Sequence, residues 1–272
     1  MSLKEKYRKI NLVRLRNIVL WSVFFIFVIV TIIIVSNKRN KISYQNIQIE
    51  IDSSQSKFVN SADIIKIIDK IGLKINNQAI DSINTALLES EIEKHPSIKN
   101  AEVYFTFTGN LIIEIEQRNP VIRIINQPNV DIYIDENGKI MPTSRNYTAH
   151  VLVVTGEIEK AEIEKYRKAN KENNKNLDTC MIGKILKLSR YINEHEFWKS
   201  QIEHIRIEKN MDFVLIPRVG AHEILFGEIE NIETKFNNLW NFYSKALKVE
   251  GWGKYKRINL KFENQIVCTK KI

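Results

Sequence analysis

The longest run of apolar residues in the chain lies near the N-terminus. Between Ile18 and Val35 only Ser22 and Thr31 are polar. A helix over this run rises about 1.5 Å per residue and covers about 27 Å, close to the thickness of a hydrocarbon core. We therefore predict one membrane-spanning helix over residues 18–36. Its anchoring residues include Ile18, Trp21, Phe24, Phe25 and Val35.

The same run could instead form a buried helix of a soluble domain or a cleaved signal peptide. A buried helix at the edge of a core usually carries a polar stripe, and this run has none. A signal peptide has a shorter apolar core, and small residues follow at its cleavage site. Here residues 36–41 read Ser-Asn-Lys-Arg-Asn-Lys instead. The pattern favours a retained anchor.

Residues 44–119 follow a strand–helix–helix–strand–strand pattern. Residues 44–51 alternate as a strand does, and Asn60 or Ser61 can cap the helix that follows. Gly72 ends that helix, and a second helix runs from about Gln78 to Lys94. The predicted core face of the first helix is Ile64, Ile67, Ile68 and Ile71; that of the second is Ile80, Ile83, Leu87 and Ile92.

A β-hairpin completes this first domain. Its first strand places Ala101, Val103, Phe105 and Phe107 on one face, and its second strand places Leu111, Ile113 and Ile115 there. The turn is predicted at residues 108–110. These elements form a small α+β layer, two helices on one face of a short sheet, which ends at residue 119.

Residues 120–268 are richer in strands. Residues 132–135 and 139–141 flank Asn137-Gly138, a pair typical of a type I′ hairpin turn. Further strands are predicted at residues 151–154, closed by Gly156, and at 204–207, 212–217, 223–227, 257–262 and 265–268. One helix is marked by Ile182, Ile185, Leu186 and Ile192, and a second by Ile232, Phe236, Leu239, Trp240, Tyr243 and Leu247. We expect the second stripe to pack on the sheet rather than to bind a partner.

The charged residues 157–176 contain few large aliphatic side chains. We interpret them as a solvated helix or a surface insertion. The predicted fold class is therefore α+β: an N-terminal transmembrane helix, a small α+β domain, and a larger β-rich domain with flanking helices. The predicted divisions are a cytoplasmic tail over residues 1–17, the helix over 18–36, a linker over 37–43, domains over 44–119 and 120–268, and a basic tail over 269–272.

Charge refines this picture. The net charge is +9, which could suggest a nucleic-acid partner. However, residues 1–17 hold six basic residues against Glu5 alone, and residues 36–41 hold three more. Most of the excess therefore flanks the apolar run, where anionic head groups and the positive-inside rule place it. The asymmetry predicts a cytoplasmic N-terminus and no nucleic-acid partner.

The sequence shows no familiar catalytic or metal-binding pattern. The cysteines, Cys180 and Cys268, are too few for a disulfide framework, and we expect two reduced, partly buried thiols. His195-Glu196 lacks the second histidine of a zincin motif. We therefore predict a non-enzymatic binding protein with no cofactor, no metal and no small-molecule substrate. Two binding modes fit it: an exposed strand edge or an apolar groove. The last strand is the candidate edge.

Several short motifs follow the apolar run in order. Gln117-Arg118-Asn119-Pro120 closes the first domain, and Tyr133-Ile134-Asp135 with Gly138 forms the next hairpin. Leu225-Phe226-Gly227, Lys235-Phe236 and Ile258-Asn259-Leu260-Lys261-Phe262 come later, before Gln265-Ile266-Val267. In this order, behind one span, they resemble the FtsQ/DivIB family of bacterial division proteins, which has a POTRA module and a β domain. Asn259 and Lys261 stand where the family usually has Asp and Arg.

The resemblance implies a non-enzymatic scaffold of the divisome in the bacterial inner membrane, with its bulk outside the cytoplasm and at the septum. Its β domain would bind FtsB/DivIC-like and FtsL-like partners. The FtsB-like partner would add a strand to the last β-strand, which maps to Phe262, Gln265, Ile266 and Val267, with Arg257 as a charge contact. Two alternative hypotheses stay open: a POTRA-bearing component of envelope assembly or protein transport, and a cell-wall hydrolase or transferase whose two carboxylates meet only in space.

Overall fold

The structure is a computed structural model that describes residues 3–39, 46–52, 56–72, 83–126, 130–156, 158–171, 180–263 and 265–271. In the N-terminal helix, side chains are described over residues 14–34. The described residues fall into two compact units. The first lies within Met1–Ile51, Ser61–Glu93 and Asn100–Ile115, and the second within Asp52–Asn60, Lys94–Lys99 and Glu116–Ile272. The mixed α+β class predicted from the sequence is confirmed.

Helix α1 extends over Leu3–Arg39. Within it, Arg14–Ile34 is long and apolar enough to cross a membrane, and none of that window is buried. Ser22 donates a hydrogen bond to the Val19 carbonyl at 2.9 Å, and Thr31 donates one to the Phe27 carbonyl, so the helix itself satisfies both hydroxyls. The helix includes residues 37–39, which the sequence analysis placed in a linker.

The first unit contains a three-stranded sheet in the order β1-β3-β2. Its elements are β1 (Ile47–Asp52), α2 (Ser61–Lys70), α3 (Thr85–Glu93), β2 (Ile98–Phe105) and β3 (Leu111–Gln117). The β1–α2–α3–β2–β3 order agrees with the predicted pattern. Leu111 N donates to Asn46 O at 3.0 Å and Gln117 Nε2 donates to Asp52 O at 3.3 Å, so β1 and β3 run in the same direction.

The second helix differs from its prediction. Residues 78–82, including Ile80, lie outside the described residues, and Ile83 precedes the helix, which begins at Thr85. This later start changes which face is buried: Leu88 and Ile92 are fully buried, four residues apart, while Leu87 is 45% exposed. The placement of Leu87 in the core was wrong. The first helix buries Ile64 and Ile68, as predicted.

The hairpin also ends earlier than predicted. Strand β2 stops at Phe105, and Phe107 lies in the turn with its side chain fully exposed. The alternation that starts at Ala101 therefore does not extend to Phe107, because the strand ends before it. The predicted core positions Val103, Leu111, Ile113 and Ile115 are buried.

The second unit is built on a nine-stranded sheet in the order β12-β11-β10-β9-β8-β7-β4-β5-β6. The strands are β4 (Pro120–Asn126), β5 (Val130–Asp135), β6 (Ile140–Pro142), β7 (Leu152–Gly156), β8 (Ile202–Ile207), β9 (Phe213–Pro217), β10 (Glu223–Gly227), β11 (Tyr255–Asn259) and β12 (Val267–Lys270). β4–β7, β7–β8 and β10–β11 pair in parallel; the other neighbours are antiparallel.

Helices supply much of the core on this sheet. They are α4 (Lys160–Lys171), α5 (Met181–Glu194), α6 (Glu196–Gln201), α7 (Ile232–Phe242), a π-helical turn (Tyr243–Leu247) and α8 (Lys248–Glu250). The predicted stripe of α5 is buried, and so are most members of the α7 stripe. Trp240 is the exception: it is 48% exposed, and its ring meets Phe197 edge to face at 4.7 Å.

The predicted type I′ turn is wrong. Gly138 has φ +78°, but Asn137 does not share the positive φ that a type I′ turn requires at both central positions. Gly138 N donates to Asp135 O at 3.0 Å and Asp135 N donates to Lys139 O at 3.0 Å. The loop is therefore a three-residue connection with glycine in the left-handed region. The hairpin itself is confirmed, with Tyr133 opposite Met141.

The charged stretch after β7 is not a surface insertion over its described part. Helix α4 buries Ile163 and Tyr166, and Ile158 just before it is buried as well. Tyr166 Oη donates to the Gly138 carbonyl at 2.7 Å, inside the core. Three buried apolar side chains hold this helix on the core. Because charged residues outnumber them, the composition of the stretch suggested a solvated helix. Residues 172–176 lie outside the described residues.

Candidate functional site

Strand β12 lies at one edge of the nine-stranded sheet. Its described partner is β11, in antiparallel register with Asn259 opposite Val267, Ile258 opposite Cys268 and Arg257 opposite Thr269. Among the described strands, none pairs with the other side of β12. Edge strands present unpaired backbone donors and acceptors, which a further strand can bind.

The side chains of β12 alternate between the core and the surface. Cys268 is half-buried against the core, as is Ile266 just before the strand. Val267 is 44% exposed, and Thr269 is exposed on the same side. Strand β12 thus has one apolar face, which holds it to the domain, and one face that is accessible.

The backbone direction of β12 follows from its last hydrogen bond. Lys271 N donates to Lys254 O at 3.0 Å, towards the β11 side. Since backbone groups alternate in direction along a strand, the N–H groups of Cys268 and Lys270 point away from β11. These two donors face the free edge.

The structure brings the predicted partner-binding residues together only in part. Val267 is the first residue of β12, whereas Gln265 and Ile266 precede the strand. Phe262 is 49% exposed in the connection between β11 and β12, beyond the end of β11 at Asn259. The predicted strands at 257–262 and 265–268 were therefore displaced: β11 begins and ends earlier, and β12 ends later.

Arg257 lies on β11, where it takes part in an ion-pair network on one face of the sheet. Its guanidinium lies 3.0 Å from Glu223 and 3.4 Å from Glu208, and Arg206 lies 2.9 Å from Glu223. Burial alone would raise the pKa of Glu223, but hydrogen bonds from Arg257 and Arg206 outweigh it and lower that pKa. The arginine predicted as a partner contact is thus already paired within the domain.

Lys261 and Asn259 fix the connection to β12. Lys261 Nζ lies 2.7 Å from Asp212 Oδ2, and Asn259 Oδ1 accepts a hydrogen bond from Lys261 N at 2.9 Å. The hydrogen bond with Asp212 raises the pKa of Lys261. Gly227 leaves room for this lysine, because a Cβ there would lie 2.6 Å from Lys261 Cγ. The ion pair with Asp212 therefore holds this connection against the sheet.

A buried polar pair lies behind the end of the edge strand. His222 Nε2 and the Tyr243 hydroxyl are 2.8 Å apart, and the Trp252 ring lies 5.0 Å from that of Tyr243. Burial and, to a smaller extent, the charge of Lys271 together lower the pKa of His222 to about 4. Burial also raises the pKa of Tyr243. Both groups are neutral at pH 7.

Other chemistry is not evident in the described part of the chain. No group of three His, Cys, Asp or Glu residues there is placed to hold a metal ion. The two cysteines are thiols, Cys180 buried and Cys268 half-buried. The residues predicted to anchor the chain, Ile18, Trp21, Phe24 and Phe25, are exposed along α1, and Val35 belongs to the same helix.

Sequence reasoning missed Thr269 and Lys270, which belong to the edge strand. The signal was present: the alternation of Ile266 and Cys268 with Val267 continues at Thr269, and the predicted strand stopped two positions too early. The prediction placed residues 269–272 in a basic tail outside the strand, because charged residues dominate that part of the sequence.

Comparison with known families agrees with this architecture. A POTRA-like domain model matches residues 44–116, so the fold is that of a POTRA-bearing protein with a β-rich second domain. A model described as FtsQ/DivIB, C-terminal related, matches residues 119–269, more than half of the chain. The chain belongs to the FtsQ/DivIB family of non-enzymatic bacterial division proteins. No curated protein matches it.

Proposed function

We propose that the chain is a membrane-anchored scaffold of the divisome that binds a partner by strand addition at β12. The observation that carries the proposal is the edge position of β12, with accessible side chains at Val267 and Thr269 and outward N–H groups at Cys268 and Lys270. The family supports a role in cell division. The partners are FtsB/DivIC-like and FtsL-like division proteins.

The partner contact extends from the strand into the preceding connection. Phe262 offers an exposed ring, and Gln265 is exposed beside Ile266, which packs against the core. A bound strand would pair with the β12 backbone while its side chains meet Phe262 and Val267. Arg257 contributes indirectly, since its ion pairs with Glu223 and Glu208 hold β11, on which β12 rests.

The proposed location is the inner membrane at the division septum, with the N-terminus in the cytoplasm. The apolar helix Arg14–Ile34 supports the anchor, and the charge asymmetry of its flanks supports the orientation. This arrangement keeps both folded units on the outer side, where single-span partners can reach the edge strand. A fluorescent fusion of the full chain in dividing cells tests the location; uniform membrane fluorescence through the cell cycle contradicts it.

A proline at Lys270 tests the edge directly. Proline is tolerated on an edge strand where its missing N–H faces outward, so Lys270→Pro should leave the β11–β12 pairing intact. It removes one outward donor and places a ring against the incoming strand. We expect capture of the FtsB/DivIC-like protein by the full chain in membranes to weaken by about tenfold or more, the effect of about 1.4 kcal/mol.

Lys270→Ala is the matched control, because it removes the same charge and keeps the N–H. Near-normal capture by Lys270→Ala together with the loss in Lys270→Pro supports strand addition. Phe262→Ala, at a residue outside the strand, should weaken capture with no change in thermal stability. Normal capture by a folded Lys270→Pro chain contradicts the proposed edge.

A further inference from the structure

The tip of the β2–β3 hairpin carries an aromatic side chain with no cover. Phe107 is fully exposed, while Phe105 two residues earlier is half-buried. The five tip residues 106–110 read Thr-Phe-Thr-Gly-Asn and carry no charge. A fully exposed phenylalanine offers apolar area that is stabilised when it is transferred from water to a less polar surrounding.

The turn is built so that this side chain is held outward. Thr106 N donates to Asn110 O at 2.9 Å, and Gly109 N donates to Thr106 O at 3.0 Å. The Thr106 hydroxyl also accepts a hydrogen bond from Asn110 N at 3.1 Å and lies 2.8 Å from the Thr108 hydroxyl. Four contacts therefore fix the turn, and Phe107 is presented by a defined structure.

The hairpin tip lies at the end of the sheet where the chain arrives from the apolar helix. Leu111, the first residue after the turn, donates its N–H to the Asn46 carbonyl at 3.0 Å, just before β1 begins. Because β1 and β3 run in the same direction, the opposite end of the sheet lies at Asp52 and Gln117. The entry point of the chain and the tip are thus neighbours.

The distance from the membrane to that entry point is limited by the length of the chain. Six residues separate Arg39, the end of α1, from Asn46, so their Cα atoms lie within about 25 Å of each other. The candidate span ends at Ile34, five residues earlier in the same helix, which adds about 8 Å. The tip end of the sheet therefore lies within about 33 Å of the end of the candidate span.

Charges further along the strands favour the same orientation. Glu50, Glu102 and Glu114 lie on the three strands, away from the neutral tip. An anionic membrane surface repels these carboxylates and leaves the tip as the part of the sheet that can approach lipid. Since α1 already provides the attachment, a single aromatic contact need only orient the domain.

We propose that the Phe107 tip inserts into the interfacial region of the membrane that α1 spans, so that the POTRA-like unit rests on lipid. The partner is the lipid surface itself, at the boundary of head groups and acyl chains, where apolar side chains of surface-bound segments are buried. This inference rests on the proposed membrane anchor and goes beyond the proposed strand addition at β12.

The test places an environment-sensitive fluorophore on the full chain in vesicles of phosphatidylethanolamine and phosphatidylglycerol. Phe107→Cys carries it at the tip, and Glu102→Cys carries it on strand β2, five residues earlier and at most about 16 Å away. Phe25→Cys carries it within the apolar helix. The parent chain, with Cys180 and Cys268, is labelled in parallel to subtract the signal of the native thiols.

We expect blue-shifted emission at position 107, with quenching by lipids that carry a nitroxide near the head group. Position 102 should show water-like emission with no quenching, and position 25 should be quenched by nitroxides deep in the acyl chains. Quenching at 25 but not at 107 overturns the inference and leaves the anchor standing. Quenching at neither position overturns the anchor and the inference with it.

Vesicles of phosphatidylcholine alone provide a second measurement. Because the tip carries no charge, quenching at position 107 should persist in these neutral vesicles. If quenching at position 107 requires anionic lipid, basic residues elsewhere make the membrane contact. That result would overturn the insertion of Phe107. The labelled position is fully exposed, so the substitution itself does not disturb the core.

Discussion

Arg118 Nη1 donates a hydrogen bond to Asp135 Oδ2 at 2.9 Å, and the carboxylate that it reaches is 1% exposed. The same carboxylate accepts the backbone N–H groups of Asn137 at 2.9 Å and Lys139 at 2.7 Å. One buried side chain thus joins the entry of β4 to the β5–β6 turn. The two family motifs around Arg118 and Asp135 meet at this ion pair.

Asp135→Ala should destabilise the chain strongly, because it leaves a mostly buried guanidinium and two backbone donors without their acceptor. We expect a loss of about 3 kcal/mol in the free energy of unfolding, or about 6–12 °C in melting temperature. Thermal unfolding of the full chain in detergent micelles measures it. Asp131→Ala is the control, since that carboxylate is 42% exposed in its pair with Arg123 and should cost about 1 kcal/mol or less. Equal losses in the two variants would contradict the assignment.

Gly156→Ala should destabilise the sheet by steric overlap. Gly156 has φ +135°, and a Cβ there would lie 2.4 Å from the Ile207 carbonyl oxygen in the neighbouring strand. Backbone atoms in a sheet cannot move aside cheaply, so we expect a cost of about 3 kcal/mol or more. Gly251→Ala is the matched control: it also has positive φ, at +87°, but meets nothing within 4 Å. Its cost should be about 1–3 kcal/mol, from backbone strain alone, and thermal unfolding of the two variants should rank it below Gly156→Ala.

Tyr166→Ala tests whether α4 belongs to the core. Tyr166 is 1% exposed, and removing a buried aromatic side chain costs about 3–5 kcal/mol. Tyr166→Phe keeps the ring and loses the hydrogen bond to the Gly138 carbonyl, which Asn170 Nδ2 also reaches at 2.7 Å. This variant should lose only about 1 kcal/mol. If urea unfolding shows almost no loss of stability in Tyr166→Ala, the stretch is a surface insertion and not part of the core.

Stability should fall as pH decreases from about 6.5 to about 4 because of His222. Its pKa is about 4 in the folded chain, so the unfolded chain binds more protons over that range and is favoured as pH falls. His222→Gln keeps a polar contact for Tyr243 without titrating and should flatten this part of the profile. Lys271→Ala, which removes a charge that lowers the pKa, should make the fall shallower. Urea midpoints measured at pH 4–7 compare the three chains.

The fold class followed from patterns with clear periods. The α5 stripe repeats at helical spacing, and the alternation of Leu111, Ile113 and Ile115 identifies a strand whose inward face is buried. Both patterns depend on residues close in sequence. The predictions failed at the ends of elements, because contacts between residues far apart in the sequence decide where a helix or strand begins and ends. Leu87 left the core because α3 begins at Thr85, and Phe107 left it because β2 stops at Phe105.

The candidate site was predicted in its position but not in its limits. The free edge of the sheet was expected from the last strand, and β12 occupies it. Which residues pair with β11 depends on a register that shifts between Tyr255 and Arg257, and local alternation does not encode such a shift. Likewise, nothing local indicates that Arg257 meets Glu208, which lies 49 positions away along the chain.

The position of β12 at the rim of the sheet separates the core of the second unit from the proposed partner contact. β4 to β11 build the rest of the sheet, and among the described strands β12 pairs with β11 alone. Of the residues around the edge, Ile266 and Cys268 pack only partly against that core. A chain cut short before Val267 would therefore keep most of its buried core and lose the strand proposed to dock a partner. Such a chain could be folded and still fail to assemble.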